Sequence, residues 1–379
     1  MLLPRSSQVD RASPIINFGI GQPGFDLLPH DLMRRAAEAR FAEGDTELLN
    51  YGYEQGDGHF RAALADFLST EYAAPVAPET LMVTAGASQA LALICTLLTR
   101  PGDTVFVEEP SYFLALRILR EDFRLNTVPI AMDEDGLRMD ALEESLTRQR
   151  PVFVYTISAF QNPSGYTLAA ERRQRLAALG QEHGFLVVAD EVYQLLHYSA
   201  RPPKPLVAHA AGGQILSIGS FSKILAPGLR LGWIQAVPEL VQRFVRCGLV
   251  DSGGGLNHFT SNLVRPALDQ GWQTEYLAGL RQTYRRRIDV MDAALHRHIG
   301  DRARWRKPDG GYFFWLEMDA AIDTTALLPA AHAAQVGFLP GARCSSVGEL
   351  KNFLRLSFAH FGEAEIEEGV ARLGRVLAG

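Results

Sequence analysis

Ile215-Leu216-Ser217-Ile218-Gly219-Ser220-Phe221-Ser222-Lys223-Ile224-Leu225-Ala226-Pro227-Gly228-Leu229-Arg230-Leu231-Gly232-Trp233 is the stretch on which the reading of this chain turns. Its first four residues form a short apolar run of the kind that makes a buried strand, and the glycines and proline that follow mark a turn. Into that turn are packed two hydroxyls, one lysine and one arginine. Ser220 and Ser222 can donate to anionic oxygens, Arg230 can grip the same group with two parallel N–H donors, and Lys223 can condense with an aldehyde. A strand ending in these side chains suits an anionic ligand that carries a carbonyl.

Outward from this stretch, short apolar or β-branched runs at residues 81–84, 104–107, 125–128, 152–157, 185–189, 215–218 and 233–237 alternate with helical patterns such as 111–120 and 168–183. Alternation of this kind predicts an α/β fold, with a mostly parallel seven-stranded sheet between helices. A large domain is expected over residues 45–272. A smaller α+β domain is expected from the terminal segments, 1–44 and 273–379, with a long helix near 274–298 connecting the two.

Ligands in open α/β sheets collect beyond the carboxyl ends of the strands. Four unusual segments lie at such ends: Thr84-Ala85-Gly86-Ala87-Ser88, Asn162-Pro163, Asp190-Glu191-Val192-Tyr193 and Ser220 to Lys223. Gly86, Ala87 and Ser88 precede an apolar helix, whose start offers unpaired N–H groups to an anion, although Ser88 could equally cap that helix. Asp190 ends a buried run and needs a partner for its charge; it either caps the next helix or meets a ligand. Tyr112 follows another strand end and reads as packing or as a ring that stacks on a ligand. Arg355 interrupts the apolar strand pattern of residues 352–358, where a guanidinium suits two-pronged binding of a carboxylate.

These motifs resemble those of the fold type I pyridoxal-phosphate-dependent aminotransferases, the aspartate aminotransferase superfamily, along nearly the whole chain. The resemblance implies that Lys223 holds pyridoxal 5'-phosphate as an internal aldimine and acts as the catalytic base, that Asp190 pairs with the pyridine nitrogen, and that Tyr112 stacks on the ring. By the same resemblance Asn162 and Tyr193 reach the ring hydroxyl, while Gly86, Ala87, Ser88, Ser220, Ser222 and Arg230 hold the phosphate. Arg355, with Gly21 and Asn162 nearby, binds the substrate α-carboxylate. The glycine pair Gly310-Gly311 leaves room near substrate. The resemblance also implies that Tyr51 of Asn50-Tyr51-Gly52 reaches the neighbouring active site of a homodimer, the alternative being a loop aromatic packed locally. The implied activity is ping-pong transfer of an amino group between an amino acid and a 2-oxo acid. Within the superfamily, Ile157-Ser158-Ala159-Phe160-Gln161-Asn162-Pro163-Ser164-Gly165 and the Tyr51 region look most like the 2-aminoadipate aminotransferases and the aminotransferase-like domains of MocR-type regulators. Ser158 stands where that group usually has proline and Cys344 where phenylalanine is common, and Gln22 likewise leaves the substrate side-chain pocket unassigned.

Composition narrows the field of partners. The 379 residues are 47% hydrophobic and 21% charged, enough for a large core, and the formal net charge of −6 gives no general attraction to nucleic acid or anionic membrane. Cys95, Cys247 and Cys344 have no metal-ligand spacing and fit reduced thiols in a cytoplasmic setting. Met1 to Ser6 carries no evident secretion signal, and no stretch is long enough to span a bilayer. Gly19-Ile20-Gly21-Gln22-Pro23-Gly24 matches a dinucleotide fingerprint in letters only, because Pro23 stands where a helix is required. Arg285-Arg286-Arg287 reads as a solvated helix face. His296 and His298, two apart, do not share a helix face, so no metal is expected. Two other function classes remain at this stage. One is a different pyridoxal phosphate reaction, such as C–S lysis, decarboxylation or oxidation. The other is a non-catalytic sensor domain, against which stand the early onset of the motifs, with no room for a DNA-binding domain, and the negative charge.

Overall fold

The large sheet has eight strands in the computed structural model, which describes residues 7–10, 13–209 and 213–378. They are β1 Leu81–Thr84, β2 Thr104–Glu109, β3 Asn126–Asp133, β4 Gly136–Leu137, β5 Phe153–Thr156, β6 Leu186–Asp190, β7 Ile215–Ser220 and β8 Gly232–Gln235. The segment Met1 to Ser6, read above for a secretion signal, lies outside the described residues.

The sheet order is β1-β8-β7-β6-β5-β2-β3-β4. Neighbours from β7 through β3 are parallel, as the intervening helices require, whereas β8 runs antiparallel to both β7 and β1. β8 follows β7 through a turn with no crossover helix, and a direct return can only be antiparallel. The sheet therefore has eight strands where seven were expected. The additional strand, β4, is a two-residue return in which Met132 pairs with Leu137 and Asp133 with Gly136. Gly136 has φ +88°, and a Cβ there would lie 2.8 Å from Leu168 Cα. Two residues are too few to display a period.

Side chains alternate along each inner strand and feed two cores. Val105, Val107, Phe153, Tyr155, Val188, Leu216 and Ile218 face one layer, which holds the helix Ala87–Leu98. Phe106, Val154, Val187, Ala189 and Ile215 face the other, against the helices Met139–Arg148 and Ala170–His183. With both faces covered, the functional rim is confined to the ends of the strands.

A second sheet is antiparallel, in the order Ala303–Arg304, Phe313–Met318, Phe353–Ser357, Leu339–Pro340. The long helix Trp272–His298 packs beside Glu363–Val376. The N-terminal segment touches both parts of the chain. Ile16–Asn17 pairs with Val336–Gly337, while Arg40, at the end of the helix His30–Ala42, is buried and donates to Asn262 at 3.1 Å. One expectation for the long helix is corrected: Arg285 and Arg286 are exposed, but Arg287 is buried, 2.7 Å from Asp26 and 2.7 Å from the Ala359 carbonyl. Position 287 shares the packed face of Tyr284, Ile288 and Met291, so its charge is used to tie the N-terminal segment down.

Candidate active site

β7, β8 and β1 meet at one rim. Ser220 pairs with Gly232, and Gly232 with Thr84, so the end of β7 and the end of β1 stand on either side of the start of β8. After β1 the chain turns through Gly86 at φ +88° straight into the helix Ala87–Leu98, leaving the first-turn N–H groups free to bind an anion. Gly86 is itself the N-cap and Ser88 is the second helical residue, exposed, so the alternative reading of Ser88 as the cap does not hold. Ser220 Oγ lies 3.0 Å from Ser222 Oγ, and Arg230 Nη1 lies 3.5 Å from Ser222 Oγ. A Cβ at position 86 would come within 2.7 Å of Arg230 Nη2, so only glycine lets the helix start and the guanidinium approach each other. Arg230 has φ +47°, and Asn257, which carried no motif signal, holds its carbonyl through a side-chain hydrogen bond.

Deeper in the cleft, Asp190 ends β6. Tyr155 donates to its Oδ2 at 2.7 Å, while Oδ1 is buried without a hydrogen-bond partner. Burial raises the Asp190 carboxyl to about 6, against the opposing pull of Tyr155, the Val192 backbone N–H and Lys223. A buried acceptor left open costs on the order of 1–3 kcal/mol, which a ligand N–H donor would recover. Lys223 Nζ donates to the Gly21 carbonyl at 2.7 Å and lies 5.3 and 5.8 Å from the ring centroids of Tyr312 and Tyr193. Burial, with the positive Arg355 and Arg230 nearby, lowers its amine to about 8. Tyr112, opening the helix Phe113–Arg117, is enclosed enough that burial pushes its hydroxyl up to about 12. Tyr193 is buried and set edge-on to Tyr312 and Phe313.

Arg355 is buried on the strand Phe353–Ser357, with its guanidinium 4.0 Å from the centroid of Phe313. It donates to Asn162 Oδ1 and to the Gly19 carbonyl, each at 2.8 Å, and its Nε is buried without a partner. A Cβ at Gly21 would lie 3.5 Å from Arg355 Nη2 and 3.1 Å from Phe313, so the bare backbone keeps the approach to the guanidinium open. The Gly310-Gly311 pair does not leave room for substrate. Its missing side chains accommodate Phe160, whose Cζ would lie 2.5 Å from a Cβ at position 310, and Gly311 N donates to the Leu196 carbonyl at 2.8 Å.

Several supporting residues had escaped the motif reading. Glu108 is buried in β2, accepts from Thr156, from Ile157 N at 3.0 Å and from Gln161 at 3.2 Å, and is raised to about 7 by burial. Gln161 also donates to the Pro110 carbonyl, so this network fixes the loop that carries Asn162. Ser158 donates to Glu191 at 2.7 Å, and Glu191 in turn lies 3.6 Å from Arg173, both fully buried. Tyr312 donates to the Lys223 carbonyl at 3.0 Å. A charged residue inside an apolar strand, as at Glu108, was the one visible signal. The tyrosines gave none, because a core tyrosine and a positioning tyrosine look alike in sequence.

The cleft thus combines an anion cradle, an amine, a buried carboxylate with an open oxygen, and a guanidinium beside an aromatic face. These groups fit pyridoxal 5'-phosphate. Among the described residues no group of three or more His, Cys, Asp or Glu side chains is placed to hold a metal ion, and no helix is long and apolar enough to cross a membrane.

Comparison with known proteins agrees with that chemistry. The family model for aminotransferase class I and II matches residues 13–373. Aromatic-amino-acid aminotransferase 1 of Thermococcus litoralis is 33% identical over 96% of this chain and 88% of its own length. The 2-aminoadipate transaminase of Thermus thermophilus is 35% identical over 96% of this chain and 90% of its own. The crystal structure of Pyrococcus horikoshii kynurenine aminotransferase superposes with a TM-score of 0.91 at 31% identity, covering 97% of this chain and 91% of that one.

Proposed function

We infer the roles of individual residues from one premise: the chain belongs to the class I and II aminotransferases, and is an enzyme that moves an amino group between an amino acid and a 2-oxo acid with pyridoxal 5'-phosphate. When bound, the cofactor supplies the reactive aldehyde and an electron-accepting ring. Gly86, Ala87, Ser88, Ser220, Ser222 and Arg230 receive its phosphate, and Tyr112 covers the ring. Asp190, whose Oδ1 lacks a donor, would accept a hydrogen bond from the protonated ring nitrogen and hold that charge in place. Asn162 and Tyr193 border the ring hydroxyl. Arg355 holds the substrate α-carboxylate, with Asn162 fixing the guanidinium and Gly21 leaving it accessible.

Lys223 is the proton carrier. An ordinary lysine is almost wholly protonated at neutral pH, whereas an amine lowered to about 8 offers a useful neutral fraction and is a better-matched base. Its Nζ takes the proton from the substrate Cα and returns it on the product side of the transfer. The observation that carries this reading is the pairing, in one cleft, of that amine with a buried carboxylate whose Oδ1 lacks a donor.

Relatives that act on aromatic amino acids and on 2-aminoadipate, together with the rings of Tyr112 and Phe313 in the cleft, support a long or aromatic amino donor. A homodimer is supported by exposed large apolar side chains: Tyr51 is 81%, Leu49 70% and Leu249 67% exposed, and the exposed Phe41 and Phe259 rings lie 6.5 Å apart. Tyr51 packs its Cβ close to Gly254 and leaves its ring outward, where a second subunit could receive it. Free thiols at Cys95, Cys247 and Cys344 support a cytoplasmic setting. The large domain at 45–272 and the smaller one from 1–44 and 273–379 frame the cleft in this proposal, with Lys223 on one and Arg355 on the other.

An assay of candidate amino donors with 2-oxoglutarate tests the reading. Glutamate formed in step with the new 2-oxo acid is the expected result; pyruvate and ammonia released without an acceptor would instead assign a lyase.

A further inference from the structure

Lys223 sits in a single turn, Phe221 to Leu225, closed where Leu225 N donates to the Phe221 carbonyl at 2.8 Å. Continued as a helix, the turn would satisfy the Lys223 carbonyl with the N–H of residue 227, but that residue is proline and has none. The carbonyls that follow lose their helical donors too, because the chain leaves the turn at Ala226, which is extended at φ −150° and ψ 132°. Buried carbonyls need donors, so these oxygens must find them elsewhere.

Side chains from much later in the chain supply them. Tyr312 donates to the Lys223 carbonyl at 3.0 Å, and Gln273 Nε2 donates to the Ile224 carbonyl at 2.8 Å. The Tyr276 hydroxyl stands 3.2 Å from the Leu225 carbonyl and also reaches the Leu27 carbonyl, so its one proton serves either. Gln273, Tyr276 and Tyr284 share a face of the long helix Trp272–His298, and the Tyr284 hydroxyl lies 3.3 Å from that of Tyr312. Tyr312 is tied in turn to the segment that follows the Arg355 strand: its carbonyl accepts from Phe358 N at 3.1 Å. Its ring centroid is 5.3 Å from Lys223 Nζ. Gln273 and Tyr312 are both fully buried, and Gln273 keeps its place although its Oε1 has no partner. A buried amide with an open acceptor costs stability, so the bond it donates to the Lys223 turn, rather than packing, accounts for an amide at this position.

We propose that Tyr312 and Gln273 are positioning residues for Lys223: by holding the carbonyls of its turn they keep the amine aimed at the cofactor aldehyde. They thereby favour the condensation in which Nζ bonds the aldehyde carbon while the aldehyde oxygen leaves as water with the two protons of the neutral amine. The proposal rests on the assignment of Lys223 made above. The held carbonyls lie downstream of Ser220 and Ser222, so a cofactor form that fills the phosphate cradle without condensing has little need of them.

The test uses the full-length chain stripped of cofactor and titrated with two ligands. Pyridoxal 5'-phosphate carries the aldehyde; pyridoxamine 5'-phosphate carries an amine in its place and cannot condense with a lysine. Tyr312→Phe, which keeps the ring, and Gln273→Met, which keeps the length, are each expected to weaken the first ligand relative to the second roughly fivefold, the worth of one hydrogen bond. Each variant is read by itself, so misfolding of one leaves the other decisive. Tyr198→Phe is the control: it removes a buried hydroxyl that donates to the Gly311 carbonyl at 2.6 Å, and it is expected to leave the ratio unchanged. Equal losses for both ligands, or no loss in the folded variants, would overturn the positioning role and leave the transaminase assignment standing. A shift in Tyr198→Phe as large as in Tyr312→Phe would overturn it as well. A wild-type chain that binds both ligands equally and gives no borohydride adduct on Lys223 would remove the Lys223 reading, and this proposal with it.

Discussion

Asp190 shows how a functional group can work against the stability of the protein that carries it. Its carboxyl is raised from the ordinary value near 4 to about 6, so in cofactor-free protein the folded state binds a proton more tightly than the unfolded chain does. The associated stability is fully present below about pH 4 and is lost as pH rises through about 6, on the order of 3 kcal/mol in all. Asp190→Asn removes the penalty. The variant stripped of cofactor is expected to gain in melting temperature relative to wild type as pH goes from 4 to 7, and a difference that stays flat across that range would contradict the account. The same substitution in the loaded enzyme is expected to depress turnover by orders of magnitude, because the ring nitrogen loses its anionic partner; rates near those of wild type would remove Asp190 from the role. Asp190, Lys223 and Arg355 were legible in sequence because each is a charge set in or beside an apolar run. Tyr155 and Tyr312, which hold Asp190 and the Lys223 backbone, were not, since a buried aromatic with a hydroxyl reads as core whichever atom it serves.

The elements behind the site depend on a buried ion pair. Arg173, on the helix Ala170–His183, donates to the carbonyls of Leu168 and Lys204 at 3.0 Å and Ser158 at 2.6 Å, and faces Glu191 at 3.6 Å. Arg173→Ala would leave Glu191 with its charge buried beside Asp190 and without a cation. The expected loss is about 3–5 kcal/mol, read from the urea midpoint; a loss below about 1 kcal/mol would contradict the dependence of these elements on the pair. This network also gives Ser158 a purpose, since its hydroxyl is one of the donors that Glu191 requires. Main elements were readable because strands and helices of ordinary length display their periods. β4 was not, being a pair of residues folded back by Gly136, and Arg287 was misread because a run of three arginines hides which of them lies on the packed face of the helix.

Assembly and chemistry meet in the complete molecule. Phe41, Leu49, Tyr51, Leu249 and Phe259 are large apolar side chains that a solitary chain would leave in water. Sedimentation is expected to give twice the 41.7 kDa mass of one chain, and Tyr51→Ala is expected to weaken cofactor retention more than it weakens folding. A stable monomer with full activity would contradict the dimer. Sequence could point to Tyr51 through its motif, but exposure is a property of the folded chain and had to be seen there. Everything proposed for the cleft depends on which amine meets the cofactor. Borohydride reduction of the loaded enzyme, followed by peptide mapping, measures this most directly. The account predicts a stable adduct on Lys223, absent from Lys223→Ala; an adduct on Lys204, Lys307 or Lys351, or none in cofactor-saturated protein, would contradict it.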